Sequence, residues 1–587
     1  MSFNKFLIKN IVLIYIICIT LFSGLTYLSN YHIPSSSIWD ETYHITSGEK
    51  YLTGTMLMEA HPPLGKLLIA LGEKIVNPNA PVKDLNLLGK LCLAATPIAR
   101  TVDGKKEITN LLKVRQQNSN KLIDKSSFTA TDSIGIDNNG DGTKDSDYPE
   151  YFSFCGFRLL PTLFGFGIPI IFFWLLYLMT RNPHLSAIGS TLVIFDNALL
   201  VQSRAAMLDS IQIFLVLASC CFFVSRVSDL LDRKELSNPW MSLAKYLGMG
   251  IAIGLALVTK HSSVFLLLLP LITIGWELIL ITRKNLQTFP KTPVKILKRI
   301  FNPYLLNLLD DMIVELVPKL VVVLLAIIIA YCSIFYIHTG LGTTINTKGS
   351  NNQGLYKAKE AYQSILRQGS TTWNPINFPI MFEDNWNYME QYHKGVPKLD
   401  PTNKNENGSY PTSWPVMNKT ISFKWETANY SDYQVLYLIG NPIVWLSGLI
   451  GVIVALALII SVLFLGNRVK DRRSFVFVTI FAGLWVVYMA TMVYVIEIRV
   501  MYLYHYLIAL VFSLLLPTLL VDYMFGREIP KDTDKSNIIY ICLITWMILI
   551  FASYLIYAPF TYYLPLSKDG FNARRLFGSW QMRWPQE

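Results

Sequence analysis

The sequence IWDETYHITSGEKYLTGTMLMEAHPPLGKLLIALGEKI runs from Ile38 to Ile75 and follows an apolar run at 11–28. It places an acid pair, Asp40 and Glu41, between that run and two prolines that suit the start of a helix. Beyond the prolines, leucine and isoleucine recur at helical spacing as far as Ile75, which predicts an amphipathic helix lying in a membrane interface. Titratable side chains are therefore expected at the boundary between water and lipid.

The composition also indicates a membrane protein. The chain has 587 residues, of which 52% are hydrophobic and only 16% are charged, and this excludes an ordinary soluble globular domain. The first apolar run follows Lys5 and Lys9 and lacks a small-residue cleavage site, so we interpret it as a retained anchor helix rather than a signal peptide. Runs of about 20 apolar residues, enough to cross a bilayer, recur along the chain. We predict an all-α integral membrane protein with about eleven transmembrane helices, at 11–28, 158–180, 184–202, 207–226, 243–260, 264–282, 318–337, 443–466, 474–497, 503–525 and 537–557.

The distribution of positive charge predicts the orientation of these spans. Lys and Arg concentrate in the connections on the side of the N-terminus, which should therefore be cytoplasmic. We attribute the net charge of +11 to this orientation rather than to binding of nucleic acid. The predicted organisation is a first helix at 1–28, a long outer loop at 29–157, helices two to seven at 158–337, a second long outer loop at 338–442, helices eight to eleven at 443–557, and an outer tail at 558–587.

Ionisable side chains that are far apart in sequence fall on the outer side of this topology. Such groups at membrane depth indicate a functional site. Arg and Lys suit an anionic ligand such as a phosphate near the lipid headgroups. Asp196 lies inside an apolar run and should face the interior of the helix bundle. The candidate residues on the outer side are Asp40, Glu41, His61, Lys66, Arg158, Arg204, Asp209, Lys260, Trp414, Arg499 and His505.

The segment DNNGDGTKDSDYPE at 137–150 resembles a calcium-binding loop. Asp137, Asn139, Asp141 and Asp145 occupy ligand positions, but Tyr148 stands where such loops carry an acid. A structural calcium site and a metal-free acidic loop are both open interpretations. Of the seven cysteines, Cys92 and Cys155 share the first outer loop, and a disulfide between them is likewise open.

Several segments together resemble the protein O-mannosyltransferases, GT-C membrane glycosyltransferases that use mannose linked to polyprenyl or dolichyl phosphate. The resemblance covers nearly all spans in order and implies a GT-C fold in which the family's acid pair corresponds to Asp40 and Glu41. The family's phosphate-contacting arginine corresponds to Arg158. The loop at 338–442 is too short for the β-trefoil MIR domain of eukaryotic members, which favours a prokaryotic-type relative in a bacterial cell membrane. The segments are HPPLGK, FRLLPTLFG, DNALLVQSRAAMLDS, GLALVTKHSS, YPTSWPVM, LIGNPIVW and YLYHYLIALVFS.

The resemblance implies transfer of mannose from a lipid phosphate to a Ser or Thr hydroxyl of an exported protein. We expect Asp40 to take the hydroxyl proton and Glu41 to position the acceptor or the sugar. A single displacement of this kind inverts the anomeric carbon and requires no metal cofactor. The leaving phosphate needs fixed cations, for which we expect Arg158, Lys260 and Arg499, then Arg204 and His505. The side chains expected to shape the site are His61, Lys66, Asp209 and Trp414.

Two other functions are consistent with parts of the pattern. A sister transferase would share the lipid-phosphate donor but modify an envelope glycolipid such as lipid A, so only the acceptor separates it from the leading hypothesis. A secondary transporter is less favoured, because we find no internal repeat and the charges gather on one face rather than at mid-membrane.

Overall fold

The computed structural model of the chain describes residues 3–102, 105–117, 148, 151–232, 239–287, 303–344, 358–368, 371–403, 406–428, 432–526, 529 and 533–585. Within these ranges, ten helices are long and apolar enough to cross a membrane, or eleven if one bent pair counts as a single span. The predicted membrane fold is confirmed, with the bent pair at the place of the predicted span 184–202.

The helices follow one another along the chain with few strands between them. They are α1 (Phe3–Ser23), α2 (Glu41–Thr53), α3 (Leu64–Val76), α4 (Leu87–Ala95), α5 (Leu111–Gln117), α6 (Cys155–Thr180), α7 (Pro183–Ile194), α8 (Asn197–Ser203), α9 (Asp209–Leu231), α10 (Pro239–Leu257), α11 (Leu268–Gln287), α12 (Pro303–Leu341), α13 (Glu360–Arg367), α14 (Phe378–Gly395), α15 (Pro442–Phe464), α16 (Arg472–Ile496), α17 (Leu507–Phe525), α18 (Asp534–Tyr562) and α19 (Lys568–Asn572). Short 3₁₀ turns precede α11 and α17, at His261–Leu267 and Leu503–Tyr506.

The bent span consists of α7 and α8, which meet at 64°. Asp196 lies at the break and is fully buried. Its carboxylate accepts hydrogen bonds from the backbone N–H of Leu199 at 2.9 Å, from that of Asn441 at 3.1 Å and from the indole N–H of Trp445 at 2.9 Å. The carboxylate therefore caps α8 and fixes α15 beside it, and the predicted inward orientation of Asp196 is confirmed.

Small residues allow the helices to approach closely. In α10, a Cβ added at Gly250 or Gly254 would lie 2.6 Å or 2.7 Å from a backbone carbonyl of α12. At Gly72 of α3, an added Cβ would lie 2.5 Å from the carbonyl of Gly156 in α6. Such contacts bring helix backbones together in membranes, where no hydrophobic effect drives helices against each other. The predicted interfacial helix is thus present as α3 and is held against α6.

The long loops form a separate layer at one end of the bundle, which we call the loop face. It carries the described residues of the segments 29–154 and 343–441 together with those of the tail after α18. These described residues form two antiparallel sheets, which the prediction of an all-helical chain did not include. They are a hairpin of β1 (Pro97–Val102) and β2 (Lys105–Asn110), and a sheet of β3 (Ile421–Thr427), β4 (Tyr433–Leu438) and β5 (Pro565–Leu566) in the order β3-β4-β5.

Two cross-links tie the loop face together. Cys92 of α4 and Cys155 at the start of α6 form a disulfide with a Cα–Cα distance of 6.4 Å, which confirms the pairing that the sequence left open. At the other end of the chain, β5 pairs with β4 through Tyr433 and Leu566. The tail therefore lies on the loop face, as predicted.

Candidate active site on the loop face

A buried ion pair organises the chain between α1 and α2. Glu41 and Arg158 are both completely buried, and the guanidinium contacts both carboxylate oxygens at 2.7 Å. Its remaining N–H bonds donate to the backbone carbonyls of His32 at 3.1 Å, Pro34 at 2.6 Å and Ser36 at 2.8 Å. All five N–H bonds of Arg158 are thus engaged within the protein. In this geometry Arg158 supports the fold, and its expected contact with a phosphate stays a prediction.

The carboxylate of Glu41 is equally occupied. Besides Arg158, it accepts the backbone N–H of Ile38 at 3.1 Å and that of Ala206 at 2.8 Å. It therefore joins the turn before α2 to the connection between α8 and α9. Glu41 therefore holds the backbone that carries Asp40, and its expected contact with acceptor or sugar stays a prediction.

Asp40 has a different environment from its neighbour. The acid pair was expected in an open connection, but α2 begins at Glu41 and Asp40 is its N-terminal cap residue, without a capping hydrogen bond from its side chain. Asp40 is half-buried and lines a cleft of about 970 Å³ on the loop face. Tyr43 and Tyr502 line the same cleft, and burial together with the charge of Asp40 raises the pKa of Tyr43. Glu406 and Asp40 add to the effect of burial in raising the pKa of Tyr502.

Lys260 follows α10 and lines a small pocket together with Asp209, Tyr504 and His505. The ammonium lies 2.7 Å from the Asp209 carboxylate, whose second oxygen accepts a hydrogen bond from Gln202 at 2.7 Å. It also lies 5.5 Å from the ring centre of Tyr504. Among the residues that the structure describes, Asp209 is the hydrogen-bond partner of the ammonium, which leaves two N–H bonds for a ligand. Asp209 thus shapes the site by orienting Lys260.

Arg499 approaches from the end of α16. One terminal guanidinium nitrogen of Arg499 hydrogen-bonds to Nδ1 of His393 at 2.7 Å. The Nε of Arg499 is buried and has no hydrogen-bond partner among the described residues. The His393 ring lies 5.7 Å from that of His61. Burial and then the charge of Lys260 lower the pKa of His61 well below its ordinary value, with His44, His393 and Arg499 adding to the effect. Arg499, His393 and His61 are thus neighbouring side chains, and the charge of Lys260 acts on the same His61 ring.

His505 and Trp414 close one wall of this cluster. The His505 ring stacks on Tyr504 at 4.5 Å and on Trp414 at 6.3 Å, and its Nδ1 lies 3.1 Å from the carbonyl of Tyr502. Trp414 is completely buried and donates its indole N–H to Ser409 at 3.0 Å. Trp414 is therefore a packing support for His505 rather than an aromatic anchor in a lipid interface.

Arg204 and Lys66 are bound to other parts of the fold. Arg204 donates to the carbonyls of Thr561 and Asn30, each at 2.7 Å, and its guanidinium lies 4.5 Å from the ring centre of Tyr562. It joins α18 to the chain after α1, and its expected phosphate contact stays a prediction. Lys66 is buried and forms an ion pair with Glu59, so it fixes the start of α3 beneath the site.

Three participants were missed by the sequence reasoning, namely His393, Tyr502 and Glu59. His393 lies in the second long loop, on a helix with no membrane periodicity that could have indicated its position. Tyr502 lies between the predicted residues Arg499 and His505, and no local pattern distinguishes it from the neighbouring tyrosines. Glu59 and Lys66 are seven residues apart in sequence. They form an ion pair only because the chain turns between α2 and α3.

The proposed calcium ligands Asp137, Asn139, Asp141 and Asp145 lie outside the described residues, so the calcium site stays a prediction. Within the described ranges, the structure contains no group of three or more His, Cys, Asp or Glu side chains arranged to hold a metal ion.

Two family models match this chain. The model described as "Dolichyl-phosphate-mannose-protein mannosyltransferase" matches residues 17–95 and 135–339. The model described as "C-terminal four TMM region of protein-O-mannosyltransferase" matches residues 381–580. Together they cover most of the membrane bundle and parts of both long loops.

Curated relatives and a solved structure are consistent with these matches. Dolichyl-phosphate-mannose--protein mannosyltransferase 1 of Schizosaccharomyces pombe is 24% identical over 247 residues, which cover 42% of this chain and 20% of the relative. Mannosyltransferase 4 of the same organism is 22% identical over 249 residues, which cover 42% and 24%. The matched regions thus span about a fifth to a quarter of these relatives. The structure of the S. cerevisiae protein O-mannosyltransferase Pmt1-Pmt2 complex bound to the sugar donor has the same fold, with a TM-score of 0.63, 15% identity and coverage of 97% of this chain and 93% of that chain.

Proposed function

Because this chain belongs to the dolichyl-phosphate-mannose-protein mannosyltransferase family, we propose that it transfers mannose from a polyprenyl-phosphate donor to Ser or Thr hydroxyls of proteins. The observation that carries the proposal is a chain of neighbouring side chains that leads from Asp40 to Lys260. Asp40 and Tyr502 line one cleft, the rings of Tyr502 and Tyr504 stack at 5.6 Å, and the Lys260 ammonium lies 5.5 Å from the ring centre of Tyr504. The charge of Arg499 also acts on the Tyr502 hydroxyl. A proton acceptor and two anion-binding groups are what this transfer needs on opposite sides of one sugar.

In the proposed mechanism, Asp40 accepts the proton of the acceptor hydroxyl as its oxygen attacks the anomeric carbon. The bond from that carbon to the phosphate oxygen breaks, and the phosphate leaves with the electron pair. Lys260 and Arg499 neutralise the charge that grows on the leaving oxygen. Attack opposite the leaving group inverts the anomeric carbon.

The proposed acceptor is a protein rather than an envelope glycolipid. Both curated relatives are named as protein mannosyltransferases, and neither name refers to a lipid acceptor. The test uses the purified protein in nanodiscs with polyprenyl-phosphate-[¹⁴C]mannose and either a threonine-containing peptide or lipid A. Label on the peptide, with an anomeric configuration opposite to that of the donor, is the expected result. Label on lipid A alone would overturn the protein acceptor.

The two cations should govern use of the donor. We expect Lys260→Gln and Arg499→Gln each to raise the KM for the mannosyl donor about 10- to 100-fold, because each removes a charge-assisted contact worth about 1.5–3 kcal/mol. Steady-state kinetics with varied donor and fixed peptide measure this change. Arg468→Gln is the matched control, since Arg468 is exposed on the opposite face and its loss removes the same charge. If both site variants keep the wild-type KM, these cations do not bind the donor phosphate.

We also propose that the loop face lies outside the cytoplasm. The positive-inside rule supports this orientation, because the short connections of the opposite face carry most of the Lys and Arg near the membrane. The disulfide on the loop face supports it independently, since disulfides persist in oxidising compartments.

The disulfide should therefore be present in protein purified from cells. Mass spectrometry of a non-reduced digest is expected to show the peptides of Cys92 and Cys155 joined, while Cys220 carries the alkylating label. Reduction should lower the melting temperature, because removal of a native disulfide typically costs about 2–4 kcal/mol. Quantitative alkylation of both Cys92 and Cys155 in protein blocked before lysis would contradict the proposed orientation.

A further inference from the structure

The sheet strand beside Asp40 has a free edge that the proposed chemistry does not use. In the order β3-β4-β5, β3 is an outer strand, and no described strand pairs with its second edge. Its second half is exposed, and Trp425 retains 50% of its surface. The unpaired N–H and C=O groups of such an edge can accept an added strand.

The cleft that holds Asp40 runs along this edge. Ser422, Phe423, Lys424 and Trp425 all line the cleft, whereas none of its described lining residues belongs to β4. The strand is irregular between Ser422 and Lys424, where its register against β4 shifts. Because the cleft touches the residues on both sides of this irregularity but no described residue of β4, it follows the outer edge of β3.

The position of β3 relative to Asp40 is fixed by side-chain contacts. The Trp39 ring, adjacent to Asp40, stacks on Phe423 with centroids 5.4 Å apart. The Ser36 hydroxyl donates to Glu426 at 3.2 Å, and Lys424 lies 3.3 Å from the same carboxylate. A chain paired with β3 would consequently be held in a defined register with respect to Asp40.

We propose that β3 binds the acceptor polypeptide as an added extended strand, which presents a Ser or Thr hydroxyl to Asp40. This inference rests on the proposed function. Main-chain hydrogen bonds along β3 accept many sequences, and the polar and aromatic lining of the cleft suits a peptide better than a lipid tail. The protein thus selects acceptors that are extended at the modified residue.

The test measures binding of a fluorescein-labelled peptide with one threonine among alanines and valines to the full-length protein in nanodiscs, without donor. The peptide is methylated on one backbone nitrogen at a time. N-methylation at alternate positions should weaken binding about tenfold or more, because each such nitrogen loses a hydrogen bond to β3, while the positions between change affinity less than about twofold. A uniform effect, or none, would overturn strand addition.

A side-chain variant provides the second measurement. Trp425→Ala should raise the KM for the peptide about tenfold and leave the KM for the donor unchanged, whereas Trp240→Ala, an exposed tryptophan at the start of α10, should change neither. Equal peptide KM values for the wild type and Trp425→Ala would contradict binding of the peptide at the edge of β3. Alternating N-methyl effects without any sugar transfer would retain the peptide site and refute the proposed function. Sugar transfer without alternating N-methyl effects would support the proposed function and refute strand addition at β3.

Discussion

Asp40→Asn is expected to lower mannose transfer about 10²–10⁴-fold, the contribution of a positioned general base. The amide keeps the shape of the side chain but cannot accept the hydroxyl proton. Asn is as favourable as Asp at a helix N-cap, and the side chain of Asp40 makes no capping hydrogen bond, so α2 should form normally. The transfer rate with saturating donor and peptide measures the loss.

Two further measurements separate a catalytic defect from a structural one. The melting temperature and the donor affinity of the Asp40→Asn protein should match those of the wild type. Asp84→Asn, at an exposed acid elsewhere on the loop face, is the matched control and should keep full activity. Wild-type transfer by purified Asp40→Asn protein would remove Asp40 from the mechanism.

Arg158→Ala should lose activity because the fold is destabilised, not because a contact with the donor is removed. It leaves the Glu41 carboxylate buried without its partner, and breaking a buried ion pair in this way costs about 3–5 kcal/mol. Three backbone carbonyls lose their hydrogen-bond donors as well. Because a typical folding free energy is only about 5–15 kcal/mol, we expect a large decrease in melting temperature and in the yield of monodisperse protein.

Arg158→Lys makes the test of Arg158 specific. Lysine keeps the charge but cannot reproduce the planar fork that contacts both oxygens of Glu41, so its melting temperature should lie between those of the wild type and Arg158→Ala. Fluorescence-detected gel filtration after heating measures this order. If Arg158→Ala instead keeps wild-type stability and raises the KM for the donor, Arg158 contacts the donor phosphate, as the sequence predicts.

The membrane part of the fold could be predicted because hydropathy and charge asymmetry are properties of local segments. The same reasoning predicted a common location for Lys260, Arg499 and His61, since residues at span ends on one side must lie at similar depth. It could not separate ligand-binding cations from structural ones. Arg158 and Glu41 are 117 positions apart, and only the folded chain shows that three carbonyls also converge on this guanidinium.

The loop face was harder to predict for a related reason. The helix α2 and the three-stranded sheet follow no membrane periodicity, and β5 comes from a tail more than a hundred residues beyond β4. His393 contacts Arg499 from this layer, so the linear sequence alone does not indicate the role of His393. The cap at Asp40 depends in the same way on how α2 packs over α3.

The pairing of β4 with β5 sets an order of events during biosynthesis. β3 and β4 are made before the last four membrane helices, yet their third strand follows α18. Arg204 likewise can form its hydrogen bond to the backbone carbonyl of Thr561 only after the end of α18 has been made. A ribosome-bound chain can therefore insert most of its helices while this part of the loop face is still unfinished. This part of the loop face becomes complete only after α18 has been made and the segment that follows it has returned to pair with β4.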